Sequence, residues 1–154
     1  MKSIFTTAVL ATVILCGCSG GRSLTGKWNV TPSGDLPKGT TMTAEFSGAD
    51  ALAMTMDMPQ DLPDGKQIKL HADIKGTYKL EGDRLTVKAD DVKFTGSGFP
   101  DELKGQLEPM LKGMGDQVKD QINKEGSTVL AWKDDDTFTL TGKKGNPETF
   151  TRVK

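Results

Sequence analysis

Apolar residues recur at every second position through most of this chain, and that alternation limits the fold more than any other feature. Met42, Ala44 and Phe46 share one parity, as do Leu52, Met54, Met56 and Met58. In the run 67–74, Ile68, Leu70, Ala72 and Ile74 alternate with Lys69, His71 and Asp73. Tyr78 and Leu80 lead through Glu81-Gly82-Asp83 to Leu85 and Val87, which is a hairpin pattern. A second hairpin aligns Leu130 and Trp132 with Phe138 and Leu140, and residues 148–154 supply a closing strand. Successive side chains of a strand point to opposite faces, so each segment sets one face in a core and the other in water. Eight or nine short strands with turn signals between them predict a mainly β fold, an antiparallel barrel or sandwich.

One segment departs from this rhythm. Residues 100–126 carry Leu103, Leu107, Met110, Leu111, Met114, Val118 and Ile122 at steps of three and four, which predicts an amphipathic helix over about 100–125. Pro100, Asp101 and Glu102 suit its start, and Lys124 followed by Gly126 suits its end. Pro109 cannot donate to the carbonyl of Gly105, and Gly105, Gly113 and Gly115 weaken the helix further, so a kink near Pro109 is expected. The helix then either covers one barrel mouth as a lid or packs on the barrel permanently.

Ahead of the strands, Lys2 precedes a run from Ile4 to Leu15 that is apolar apart from threonine. That is the charged and apolar pairing of a signal peptide, and the run is too short to span a membrane as a helix. The tetrad Leu15-Cys16-Gly17-Cys18 resembles the lipobox of bacterial lipoproteins. The resemblance implies that residues 1–17 are removed and that Cys18 becomes the lipid-modified first residue, carrying acyl chains such as palmitate. Cys16 leaves with the signal. Ser19, rather than an aspartate, follows the lipidated position. In a Gram-negative host this implies delivery to the outer membrane, with the domain facing the periplasm. Cys18 and residues 19–23 form a tether, a five-residue linker spanning at most ~18 Å, and the domain occupies residues 24–154.

The charge balance narrows the partners. The chain has 20 basic and 21 acidic residues, and loss of Lys2 with the signal leaves 19 against 21. No basic stripe exists, so no nucleic-acid partner is expected. Lipidation of Cys18 leaves no thiol for a disulfide, a thiolate metal site or a nucleophile. His71 is the only imidazole and has outward parity, away from any catalytic setting. Asp134 to Asp136 lacks the spacing of a calcium loop and reads as a hairpin turn. The remaining acids scatter along solvent faces. Neither an enzyme nor a cofactor is expected. Met54, Met56 and Met58 place three thioethers on one strand face, and soft thioethers select Cu(I). Their shared parity with Leu52 makes them core filler first, so periplasmic copper binding is the weaker alternative.

Gly26-Lys27-Trp28 on the first strand and Arg152 on the last resemble the Gly-x-Trp and terminal arginine of lipocalin-like barrels. Residues 76–88 and 134–154 are also similar to small bacterial lipocalin-like lipoproteins of unknown function. The resemblance implies a barrel of about eight strands, with Arg152 laid over Trp28 to close one end. Such a cation–π contact contributes about 0.5–2 kcal/mol. Here the helix is inserted before the last three strands.

A barrel of eight strands is either filled by side chains or holds one small ligand. The expected function is a binding module for a small apolar ligand or lipid. Met42, Met54, Met56, Met58, Leu70, Trp132 and Phe138 would line its interior, and Leu103, Leu107, Met110, Met114, Val118 and Ile122 would form the inner stripe of the lid. The alternative is an interaction lipoprotein with a filled core, whose helix docks an envelope protein partner. The anchor is tested by mass spectrometry: Cys18→Ser should yield protein without acyl chains, and Cys16→Ser should remain lipidated.

Overall fold

The computed structural model describes residues 22–34, 36–62, 65–143 and 145–154, with all side chains except those of Leu103 and Lys104. The expectations for the signal peptide, Cys16, Cys18, most of the tether and the Leu103 side chain lie outside the described residues.

Eight strands follow one another: β1 (Gly26–Thr31), β2 (Thr41–Ser47), β3 (Ala51–Asp61), β4 (Gln67–Glu81), β5 (Arg84–Ser97), β6 (Ser127–Trp132), β7 (Thr137–Thr141) and β8 (Pro147–Arg152). Each pairs antiparallel with the next, and β8 returns to β1 to close the barrel. Between β5 and β6 a 3-10 turn (Asp101–Leu103) leads into the helix α1 (Lys104–Glu125). The mainly β barrel with one helix before its last three strands is thus the fold. Outward positions are polar, as with Lys69, His71, Asp73 and Lys75 on β4, while Ile68, Leu70, Ala72 and Ile74 are buried inside. An apolar inside and a charged outside suit a barrel standing in water, the reverse of a membrane-spanning barrel.

Not all the strands are short. β4 has 15 residues because the segments on either side of Gly76 are one strand, and β5, with 14, pairs along it. Parity runs through Ile74, Gly76 and Tyr78 without a break, so no turn is needed there. On β5 the alternation does break. Lys75 pairs with Asp91 and Gly76 with Ala89, which leaves Asp90 as an extra, bulged residue. Inward parity therefore passes from Leu85, Val87 and Ala89 to Val92 and Phe94.

The helix exists because β5 outruns its neighbour. β5 pairs with β6 only through Arg84, Leu85 and Thr86, so its edge beyond that point needs another partner. Asn123 on α1 supplies one by accepting from the Ala89 N–H (2.9 Å) and donating to the Ala89 carbonyl (3.1 Å), as a neighbouring strand would. Lys119 donates to the bulge carbonyl of Asp90. Gly115 is buried against β5, where an ideal Cβ would lie 2.5 Å from the carbonyl oxygen of Val92. The α-helix runs unbroken across Pro109.

Two apolar clusters fill most of the interior. The first unites Trp28, Val30, Phe46, Leu85, Phe138 and Phe150 with Leu24 ahead of β1 and with neighbours from β2, β3, β6 and β7. The second sets Leu111, Leu107, Met114 and Val118 of α1 against Leu70, Ala72 and Phe94 of β4 and β5. Met110 corrects the expected stripe: it is half exposed, and Leu111 takes the buried position beside it. Steps of three and four leave both residues near the same face, and only the docking angle decides which one turns inward.

The glycines of α1 give a test. Open space surrounds Gly113. Gly113→Ala should stabilise by up to about 1 kcal/mol, raising the melting temperature by about 3–5 °C. Gly115→Ala should lower it, since the added methyl meets backbone that cannot yield without moving the helix.

Candidate functional site

The barrel has one sealed end. Trp28 and Arg152 are direct partners across β1 and β8, and the guanidinium carbon lies 4.2 Å from the centre of the indole. Trp28 is fully buried and donates to the Leu24 carbonyl at 2.7 Å. Arg152 donates to the carbonyls of Thr25 (2.9 Å) and Ser23 (2.8 Å) and pairs with Asp136 at 3.4 Å. Gly26 makes room for this arrangement: its φ is +127°, and an ideal Cβ would sit 2.9 Å from an Arg152 nitrogen. The aspartate turn serves the same end, since Asp135 pairs with Arg22 and Asp136 also holds Lys154. Behind the indole, Phe138 packs edge-on at 4.7 Å and Phe150 stacks on Phe138 at 4.6 Å.

The opposite end is not filled. A cavity of about 470 Å³ lies between the two clusters, within the usual range for small-molecule sites. Met42, Met54, Met56, Ile74, Leu85, Val87 and Leu140 line it from the strands, with Phe46, Leu52 and Phe150 toward the sealed end. Val118 and Ile122 of α1 form the facing wall. Ser33 follows the end of β1, and Asn146 and Glu148 flank the start of β8, so the rim lies away from Arg152. Gln121 and Glu125 complete that rim from the helix.

Two carboxyls occupy this mouth. Glu148 shares the inward parity of Phe150, and burial followed by the nearby charge of Glu125 raises its pKa above the ordinary carboxyl value. Glu125 is the last residue of α1, and its Oε1 packs so close to Gly142 that an ideal Cβ there would lie 2.8 Å away. An acid at a helix C-terminus adds to the partial negative charge already there.

Some expected lining residues reach the cavity and some do not. Met42, Met54 and Met56 line it, as do Val118 and Ile122. Met58 and Leu70 instead pack into the second cluster with Leu107 and Met114. Trp132 and Phe138 belong to the first cluster around Trp28. Inward parity was right for each, but position along the strand selects floor, cavity or helix contact. Met54 packs on the first cluster while Met56 and Met58 pack on the second, so the three thioethers are divided along the strand. Glu148 overturns the reading of every acid as solvent-facing, and its alternation with Phe150 and Arg152 was the available signal.

His71 does face outward, with Nδ1 at 2.7 Å from Asp57 and Nε2 at 3.3 Å from Asp73. These carboxylates, the Asp57 hydrogen bond first, raise its pKa despite an opposing cost of desolvation. Among the described residues, no group of three histidine, cysteine or acidic side chains is placed to hold a metal ion.

No protein-family model matches the chain, and no curated protein matches it at a significant level.

The raised pKa of Glu148 has a stability consequence. The folded state holds this proton more tightly than the unfolded chain, so stability falls as pH rises from about 4.5 through the folded pKa. Glu148→Gln should therefore raise the melting temperature at pH 7 and lose that advantage below about pH 4.5. Thermal denaturation across this range checks it.

Proposed function

We propose that this protein is a lipid-anchored, lipocalin-like module of the bacterial envelope that binds one small apolar or amphiphilic ligand in its barrel. The observation that carries the reading is the cavity of about 470 Å³ left between two otherwise well-packed clusters. A barrel core that served stability alone would gain by filling that space, since each unfilled region forfeits dispersion contacts and apolar burial. The apolar walls would supply the driving force for binding, and the polar rim would orient the ligand.

The sealed end supports a particular arrangement at the membrane. Arg152 binds the carbonyls of Ser23 and Thr25, so the chain enters the barrel at that end, opposite the cavity mouth. Lipidation at Cys18 would then hold the sealed end toward the outer membrane and turn the mouth toward the periplasm. The ligand would be exchanged with the aqueous compartment or with a carrier rather than drawn directly from the anchoring bilayer. Asn123 and Gly115 fasten α1 to β5, so the helix serves as a wall of the site and the rim as its entrance.

Calorimetric titration with dodecyl amphiphiles below their micellar concentrations tests the proposal. At about 30 Å³ per heavy atom, the share a water molecule takes in the liquid, the cavity holds about fifteen non-hydrogen atoms, which suits a dodecyl chain and its head. At least one of dodecanol, dodecylamine and dodecanoate should bind with one-to-one saturation. Met54→Trp, which fills the cavity, should weaken that binding at least about tenfold. Absence of saturable binding of all three, or equal binding by the variant, would overturn the reading.

A further inference from the structure

From the charge around the cavity mouth we infer that the ligand is a cationic amphiphile, with an amine or quaternary ammonium head held by Glu125 and Glu148 and its apolar part in the barrel. This rests on the cavity being a binding site and adds the chemical class of what it takes. Three features converge on a cation. Glu148 is an acid at an inward barrel position, on the same face as Phe150. An inward carboxyl beside an apolar space pays desolvation, and burial is the larger cause of its raised pKa. Glu125 lines the same cavity from the other side of the mouth, and its charge works against ionisation of Glu148. The third feature is the end of α1 itself. A helix of 22 residues finishes at Glu125, and Gly126 also lines the cavity, so the C-terminal carbonyl end lies at the opening. Helix C-termini carry roughly half a negative charge and favour cations.

Among the described residues lining the cavity, none is basic. Lys124 and Lys143 lie in a groove alongside, lined also by Gln117, Asp120, Gln121 and Glu125 itself; Lys124 faces Asp120 at 3.8 Å, and Lys143 Nζ comes 3.8 Å from the position a Cβ on Gly126 would take, so one ammonium stands just outside the rim. An anionic head, such as that of a fatty acid, would meet two carboxyls and a helix C-terminus together. A neutral head would leave the half-buried Glu148 carboxyl uncompensated beside the charge of Glu125. A cationic head relieves both costs: it replaces the repulsion between the acids with attraction and provides hydrogen bonds or charge contacts to each. The partial enclosure of the mouth strengthens these contacts relative to open water. Gln121 and Asn146 on the same rim provide carbonyl acceptors for any further N–H groups of the head.

The experiment compares dodecylamine, dodecanol and dodecanoate on the full mature chain at pH 7 and low ionic strength. Dodecylamine should bind about tenfold or more tighter than dodecanol, with dodecanoate weakest. The amine's advantage should shrink as salt is added. In Glu125→Gln/Glu148→Gln the amine-to-alcohol ratio should fall to within about threefold, with circular dichroism confirming that the variant is folded. Saturable binding in which amine and alcohol are equal, or in which dodecanoate is tightest, would overturn the cationic assignment while leaving the cavity as a ligand site. An undiminished ratio in the folded double variant would overturn the role of the two acids. Failure of all three compounds to bind would remove the cavity reading and this inference together.

Discussion

The edge of β5 is the constraint around which the rest of this barrel is arranged. β5 pairs with β4 along almost its whole length but with β6 through Arg84, Leu85 and Thr86 alone. An unpaired strand edge facing a protein interior is costly, because each backbone N–H and C=O deprived of water needs a partner. The Asn123 carboxamide answers at Ala89 with one donor and one acceptor, and Lys119 answers at Asp90. The bulge places these groups where the helix can reach them, and the small size of Gly115 lets the helix backbone approach Val92.

That docking divides the interior. Toward Arg152 the aromatic set of Trp28, Phe138 and Phe150 packs ring on ring and is buried from solvent. Toward the other end, α1 packs on Leu70, Ala72 and Phe94, leaving an apolar space between the two clusters. The cavity is therefore produced by the way a helix substitutes for strand pairing. The polar rim follows from the same geometry, since the C-terminus of α1 and the start of β8 meet there.

The sealed end joins the first strand to the last. Arg152 combines a cation–π contact, two carbonyl contacts and an ion pair with Asp136, and all of them gather the chain's entry and exit at one point. The acidic turn, which lacks the spacing of a cation loop, holds Arg22, Arg152 and Lys154. Its negative charge serves electrostatic closure of the barrel.

Much of this fold was legible without coordinates. Period-two alternation marked the strands, the Leu130–Leu140 and Trp132–Phe138 pairings followed from hairpin symmetry, and Trp28 and Arg152 shared a parity that brought them together. Steps of three and four marked the helix. These signals are local, because a side chain's face is set by backbone geometry within a few residues. The bulge at Asp90, the choice of Leu111 over Met110, and the separation of Met54 from Met58 and Leu70 were decided only by the tertiary structure. Each depends on where an element sits along the barrel axis and against which neighbour, and that follows from the global balance of packing and backbone pairing. Glu148 marks the boundary between the two: its alternation with Phe150 carried an inward signal that the solvent-facing reading of the acids passed over, and only the closed barrel showed that inward, at that height, meant the mouth of a cavity.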